Sequence, residues 1–216
     1  MTRRIAAGLV LGCLLGAAAD FITLDRIAVV AGGHAIKTSD IDRDLRATAF
    51  LNNQPLDLSP EAKRQSAQRL IEQDIIRNEL KVGGYDRPSA ADAAALLAQI
   101  RKDRFGNSDR RMQQSLERYG LTEDELRARL LWQLTVLRFI DQRFRPAVLI
   151  SDQEVRTYYD QHRAELDRQN PGGTFETLAP KIRESLTAQQ INQLFNAWLD
   201  QQRKDMSVRF IPGVLE

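Results

Sequence analysis

The chain has few of the residues that build most metal and disulfide sites. It contains one cysteine, Cys13, and two histidines, His34 and His162, which lie far apart in the sequence. Zinc sites usually need about four cysteine or histidine ligands at short spacings, so the sequence predicts no metal site. A lone cysteine also cannot form an intrachain disulfide. Both histidines are therefore predicted to be ordinary surface residues.

Aromatic residues and catalytic motifs are also scarce. Aromatic side chains make up 6% of the chain, which argues against a module that binds nucleic acid by base stacking. No Gly-x-Ser-x-Gly motif is present, and neither Gly32-Gly33 nor Gly172-Gly173 is followed by the lysine of a phosphate loop. Ser59 and Ser151 are interpreted as helix caps rather than nucleophiles. We therefore predict no catalytic residue and no cofactor, and we expect a protein that is not an enzyme.

Carboxylates are abundant, and three of them cluster at the start of the first predicted helix. These are Asp40, Asp42 and Asp44. The positive end of the helix dipole favours acidic side chains at such positions. This interpretation is preferred to an acid–base pair for catalysis.

The first nineteen residues have the pattern of a cleavable export signal. Arg3 and Arg4 form a positive start, residues 5–15 are a short apolar run, and residues 17–19 are alanines. The run is too short for a stable membrane-spanning helix. Removing residues 1–19 takes away two of the 31 basic residues and none of the 29 acidic ones, which leaves a formal net charge of zero. A neutral chain lacks the basic character of nucleic-acid-binding proteins.

Cys13 offers an alternative interpretation of the same segment. The sequence Val10-Leu11-Gly12-Cys13 weakly resembles a lipoprotein box, but the apolar run continues through Leu14-Leu15. We therefore prefer a signal peptide over residues 1–19, with export to the periplasm, to a lipid anchor through Cys13.

The remaining sequence predicts a mostly α, α+β fold, in which about seven helices surround a small sheet. Residues 26–36 have the pattern of a hairpin with its turn at Gly32-Gly33. A two-stranded hairpin is only marginally stable by itself. The other strand-like segment is Ser207 to Val214. We therefore predict that this C-terminal strand joins the N-terminal hairpin in one sheet.

Caps and breakers give the expected helix limits. Thr38 or Ser39 is predicted to cap the first helix, and Thr122-Glu123-Asp124-Glu125 and Ser151 with Glu154 form capping boxes. The predicted helices cover about 38–51, 60–82, 89–105, 108–119, 122–145, 151–166 and 176–204. Three helices have apolar stripes, namely Ala67, Leu70, Ile71, Ile75 and Val82, widened by Ile76 and Leu80; Leu126, Leu130, Leu134 and Leu137; and Ile191, Leu194, Phe195 and Trp198.

The order of these segments resembles SurA-type periplasmic chaperones, the SurA N-terminal domain family. The resemblance lies in the opening strand at 25–31, the return strand and first helix start at 36–42, the central helix at 69–76, residues 119–122 with 126–130, the segment 148–159, and more loosely 175–210. It implies a periplasmic chaperone that needs no ATP and holds unfolded polypeptides, including outer-membrane β-barrel precursors.

Family members usually carry a parvulin-type prolyl isomerase domain between the last two of these segments. Here only the thirteen residues 161–173 lie between them, whereas a folded domain rarely has fewer than about 50 residues. We therefore expect a signal peptide at 1–19, a SurA-N-like helical chaperone domain at 20–160, a short linker at 161–173 in place of the isomerase domain, and a C-terminal helix and strand at 174–216 that pack back on the first domain.

A holding chaperone needs an exposed apolar groove rather than bond-making residues. The aromatic side chains that we consider for such a groove are Phe50, Tyr85, Phe105, Trp132, Phe139, Tyr158, Tyr159 and Trp198. Since aromatic residues at helical spacing are more often core, none is assigned as a site residue. Three alternatives stay open. They are an adaptor or structural protein of the cell envelope, a homodimer that swaps its long final helix, and a diverged prolyl isomerase.

Overall fold

The computed structural model describes residues 25–216. This part of the chain contains eight α-helices and a three-stranded antiparallel sheet, which confirms the mostly α fold. The strands are β1 (Ile27–Ala31), β2 (His34–Lys37) and β3 (Val208–Phe210). The helices are α1 (Thr38–Asn52), α2 (Pro60–Val82), α3 (Ala90–Phe105), α4 (Asp109–Tyr119), α5 (Glu123–Phe144), α6 (Asp152–Gln161), α7 (Arg163–Gln169) and α8 (Phe175–Asp205), with a short 3-10 turn at Arg145–Ala147.

The sheet joins the two ends of the described chain, as predicted. Its strand order is β2-β1-β3, so the N-terminal strand lies in the middle. Ala31 pairs with His34 across a turn at Gly32 and Gly33, and both glycines have the positive φ that this turn needs. A bulge between Ile27 and Val29 interrupts the alternation, and as a result Ala28 and Val29 are both buried.

The start of α1 differs from the prediction, because neither Thr38 nor Ser39 is its N-cap. The helix begins at Thr38, and the carboxylate of Asp25 accepts hydrogen bonds from the Thr38 hydroxyl and from the backbone N–H and hydroxyl of Ser39. The Ser39 hydroxyl and then the Ser39 N–H hold the pKa of Asp25 below its usual value. A residue thirteen positions upstream thus supplies the acceptor that a local serine or threonine was expected to supply.

The other helix starts follow their sequence signals. The Ser59 hydroxyl accepts a hydrogen bond from the N–H of Ala62 at the start of α2, where Pro60 occupies the first turn. Complete capping boxes open α3 at Ser89, α5 at Thr122 and α6 at Ser151. The caps at Ser59 and Thr122 open two of the helices that line the cleft described below.

The predicted sixth helix is divided into two. His162 leaves the helical conformation between α6 and α7, with φ −109° and ψ 14°, so helix over 151–166 is wrong as a single element. The thirteen residues 161–173 contain α7 rather than only an extended linker. The turn after α7 then leads directly into α8.

Four apolar clusters hold the elements together, and α8 takes part in three of them. The sheet packs on α1, α2 and the end of α8; α1 and the first half of α5 pack on α3 and α4; the second half of α5 packs on α2 and α8; and α6 packs on the start of α8. Their central residues are Val29, Ile41 and Ile71; Phe50, Leu116 and Leu126; Ile76, Phe139 and Phe144; and Val155, Tyr159 and Ile182.

Each predicted apolar stripe is buried over only part of its length. Val82 is 82% exposed at the end of α2, and Leu137 is 64% exposed on α5. Leu194 on α8 is also exposed, whereas Ile191 is buried. The reason on α5 is that its partners change along its length. Leu126 and Leu130 lie in one cluster, while Phe139 lies about half a turn further around the same helix from Leu130 and belongs to another.

Candidate functional site: a cleft beside the edge of the sheet

An open cleft of about 920 Å³ lies among the described residues, and its volume is at the upper end of the size range of ligand pockets. Strand β2 lies along one side, and α1, α2 and α5 form the rest. Its lining residues are His34, Ala35 and Ile36 from β2; Asp40, Arg43, Asp44 and Ala47 from α1; Leu70, Gln73, Asp74, Arg77 and Lys81 from α2; and Asp124, Glu125, Ala128, Arg129 and Trp132 from α5.

Each helix contributes one continuous face to the cleft. On α2 the lining residues recur at the three- and four-residue spacing of one helix side, from Leu70 to Lys81. The same spacing applies to α1, from Asp40 to Ala47, and to α5, from Asp124 to Trp132. Each pair of these three helices shares an apolar cluster, and this packing fixes the walls.

A buried ionic network joins these walls at Asp44. Its side chain is 2% exposed, and its oxygens lie 2.7 Å from the guanidinium groups of Arg69 on α2 and Arg129 on α5. The hydroxyl of Ser66 donates to the same carboxylate at 2.8 Å. Buried charge is tolerated only when it is paired and hydrogen-bonded in this way. The network therefore sets the separation of α1, α2 and α5.

This network corrects the interpretation of Asp44. The helix dipole is the predicted reason for Asp44 as for Asp40 and Asp42, but Asp44 lies in the second turn of α1 and its charge is matched by two arginines. The sequence contains a signal for this burial, because Asp44 lies between the apolar residues Ile41 and Leu45 on the buried side of α1. A polar residue on an apolar helix face indicates a buried partner. The sequence does not say which arginine that partner is.

Most of the exposed charges of the cleft are also paired. Arg43 lies 3.3 Å from the carboxylates of both Asp40 and Glu125, so it bridges α1 and α5. The backbone N–H of Thr122, its hydroxyl and the Arg43 guanidinium all hold the pKa of Glu125 below its usual value. Glu125 is therefore ionised at neutral pH, and its charge is already matched.

The wall formed by α2 combines paired charge with apolar surface. Arg77 forms a 2.8 Å ion pair with Asp74, and its guanidinium carbon lies 4.7 Å from the ring centroid of Trp132. Leu70 and Ala128 add further apolar contact area along the same cleft. The cleft thus offers an aromatic ring and aliphatic groups among ion pairs. Lys81, which donates a hydrogen bond to Asn78, is a lining cation that has no carboxylate partner among residues 25–216.

Only one of the eight aromatic side chains considered for a groove lines this cleft, and it is Trp132. Phe50 and Phe105 stack on each other in the cluster of α1 and α3. Tyr85, Phe139 and Trp198 form edge and tilted contacts in the cluster of α2, α5 and α8. Tyr159 contacts Phe175, and Tyr158 stacks on His162. Three of the eight, Phe50, Phe139 and Tyr159, are buried core residues, and the other five are partly buried and pack against a cluster.

The two histidines differ in setting. His34 is exposed at the rim of the cleft, while His162 is partly buried where α6 meets α7 and its Nδ1 lies 2.9 Å from the carbonyl oxygen of Tyr158. Among residues 25–216, no group of three His, Cys, Asp or Glu side chains is arranged to hold a metal ion.

Within the same range, no helix combines the length and the apolar character needed to cross a membrane. The predictions for residues 1–19 and Cys13 concern residues outside the described range.

Comparison with protein-family models and with curated proteins gave no match for this chain. The resemblance to SurA-type chaperones therefore stays a prediction.

Proposed function

We propose that the protein is an ATP-independent periplasmic chaperone that holds unfolded polypeptides, such as outer-membrane β-barrel precursors, and has no prolyl isomerase activity. The observation that carries this proposal is the cleft of about 920 Å³ beside β2, in which ion pairs alternate with Trp132, Leu70 and Ala128. Such a lining contacts many different sequences weakly, because it offers apolar area among charges that are mostly paired.

The connection between α6 and α8 supports the absence of isomerase activity. Val155 and Tyr159 on α6 pack directly against Leu178 and Ile182 on α8. The thirteen residues between these helices form α7 and a turn. This length is far below the roughly 50 residues of a small folded domain.

Weak contact also suits the proposed role. Burial of a few hundred Å² of apolar surface contributes several kcal/mol at about 25 cal/mol per Å², and ordering of the bound chain offsets part of it. A client held in this way leaves without an energy source. A tight and selective site would favour a single partner instead.

The proposal is tested by diluting a denaturant-unfolded outer-membrane β-barrel protein into buffer and following its light scattering. Stoichiometric protein is expected to suppress aggregation. Ala128 is exposed and lines the cleft, so Ala128→Trp is expected to weaken suppression by filling it. Ala164→Trp adds the same bulk at an exposed position on α7 and serves as the matched control. Unchanged aggregation in the presence of excess wild-type protein would rule the function out.

An adaptor or dimerising role is the second candidate. It is favoured by the exposed Val208 and Phe210 of β3, which lie at the opposite edge of the sheet from β2. Sedimentation across a range of concentrations separates the two roles. A stable dimer, or a single folded partner at fixed stoichiometry, would favour the adaptor.

A further inference from the structure

We propose that the cleft holds its client as an additional β-strand on the free edge of β2, so that the bound ligand is an extended stretch of polypeptide. This inference rests on the proposed chaperone function and specifies its binding mode. The relevant edge is the side of β2 that faces away from β1, since β2 is the outer strand of the described sheet and its residues His34, Ala35 and Ile36 line the cleft.

The hydrogen bonds of β1 show which backbone groups of β2 are free. The N–H of Gly32 donates to the carbonyl of Ser207, and the carbonyl of Ala28 accepts from Ile211. The backbone N–H and C=O groups of the even-numbered residues of β1 therefore point towards β3, and those of Val29 and Ala31 point towards β2. Because hydrogen-bonded pairs alternate in an antiparallel ladder, His34 and Ile36, the partners of Ala31 and Val29, use their backbone groups on β1.

Ala35 is left with both its N–H and its C=O directed at the cleft. Outside the strand pairing itself, neither group takes part in any hydrogen bond among residues 25–216. Its side chain is a methyl group and the residue is exposed, so a second backbone can approach closely. An unpaired donor and acceptor on an edge strand are the template for strand addition.

The edge is short, and this limits how tightly it binds. The N–H of Lys37 would be the next outward donor, but it donates to the carboxylate of Asp40 at 3.0 Å. Strand addition is therefore confined to the two groups of Ala35, with Trp132, Leu70 and Ala128 contacting side chains of the added strand. Two backbone hydrogen bonds and a partly apolar groove give the transient contact that a holding protein needs.

Most charges of the cleft are paired, which favours the neutral backbone of a polypeptide over a strongly charged ligand. Asp40, Asp44 and Asp74 are each paired with an arginine, and Glu125 is paired with Arg43. Lys81 also lines the cleft, and among residues 25–216 its ammonium group donates to the Asn78 side chain and has no carboxylate partner. The backbone of an extended peptide supplies donors and acceptors without a net charge, which complements the edge of β2.

The test uses the full-length protein and a short, capped, fluorescein-labelled peptide in which valine, threonine and tyrosine alternate. Ala35→Pro removes the outward N–H of β2, and proline is tolerated on an edge strand. Val208→Pro removes an outward N–H at the other edge of the sheet, on β3, and is the matched control. We expect fluorescence anisotropy to show that Ala35→Pro weakens peptide binding about tenfold or more, while Val208→Pro does not.

A second peptide keeps the test decisive if either variant fails to fold by circular dichroism. The same sequence with N-methyl groups on alternate residues retains every side chain but loses the donors of one strand edge. It is expected to bind at least about tenfold more weakly than the parent peptide. Amide exchange measured by NMR gives an independent readout, since the Ala35 N–H should exchange rapidly in the free protein and slow when the parent peptide is bound.

Several outcomes would overturn strand addition. They are equal affinity of wild type and Ala35→Pro, equal binding of the parent and N-methylated peptides, absence of peptide binding by the wild type, or a wild-type dimer that Ala35→Pro dissociates. The aggregation assay on the same samples judges the chaperone function separately. If wild type and folded Ala35→Pro suppress aggregation equally well, the chaperone function stands and strand addition is rejected.

Discussion

Asp44 on α1 and Arg129 on α5 form a 2.7 Å ion pair although 85 positions separate them in the sequence. The same carboxylate binds Arg69 on α2, so one buried charge joins the three helices that wall the cleft. Geometry of the candidate site and stability of the fold are therefore coupled at this residue.

Asp44→Asn is expected to destabilise the protein by about 3 kcal/mol, because loss of a buried charge partner leaves two arginines without their counter-ion. The free energy of unfolding from urea titration measures this change. Asp124→Asn removes a carboxylate that is 88% exposed on the same cleft and should cost less than about 0.5 kcal/mol. Equal effects of the two substitutions would show that the buried network does not hold the walls together.

Phe139→Ala is expected to destabilise the protein by about 3 to 5 kcal/mol. Phe139 is fully buried and contacts Tyr85, Phe144 and Trp198, so truncation leaves a cavity where α2, α5 and α8 meet. Leu137→Ala, two residues away and largely exposed, should change stability by less than about 0.5 kcal/mol. Thermal or urea unfolding compares the pair, and a large loss for Leu137→Ala would contradict the observed side of α5.

Leu215→Ala is expected to cost about 2 to 3 kcal/mol, because this nearly terminal side chain is buried in the cluster beneath the sheet. Glu216→Ala, at the exposed next residue, should have almost no effect on the urea midpoint. The pair tests whether the chain ends close on each other. A negligible effect of Leu215→Ala would mean that the C-terminal segment does not contribute to the core.

Glu125→Gln is expected to alter the pH dependence of stability. The pKa of Glu125 is lowered in the folded state by the Thr122 N–H, the Thr122 hydroxyl and Arg43, so folding is favoured by the ionised carboxylate. This contribution is complete above the unfolded pKa of about 4.3 and is lost as the pH falls through the lower folded value. Wild type should therefore exceed the variant in stability near neutral pH, and the difference should shrink below about pH 4.

Urea titrations at several pH values measure that difference. Asp160→Asn, an exposed carboxylate on α6, is the control. A wild-type advantage that stays constant through acid pH would show that the capping box and Arg43 do not stabilise the charged form.

The two tryptophans report separately on the cleft and on the core. Trp132 lines the cleft, whereas Trp198 packs with Phe139 and Phe144. Adding an unfolded client that lacks tryptophan should shift the emission of Trp198→Phe, which retains Trp132, and leave Trp132→Phe unchanged. A shift confined to Trp132→Phe would place the client elsewhere.

Local signals in the sequence were sufficient for most of the elements. The caps at Ser59, Ser89, Thr122 and Ser151 and the turn at Gly32-Gly33 act within a few residues, so their effects can be predicted without knowing the rest of the fold. Where a distant group intervenes, the prediction fails. Asp25 takes over the expected capping role at Ser39, and α6 ends at His162 against a continuous helical pattern.

By itself, the sequence determined the helical class, the closing of the sheet by both chain ends and the scarcity of metal and disulfide ligands, since these follow from local pattern and composition. Only the tertiary structure decided which side of α5 is buried at each point, that Asp44 is paired with Arg69 and Arg129, and that the free edge of β2 borders a cleft. The physical reason is that burial and ion pairing depend on which helices meet, and those helices are separated by tens of residues along the chain.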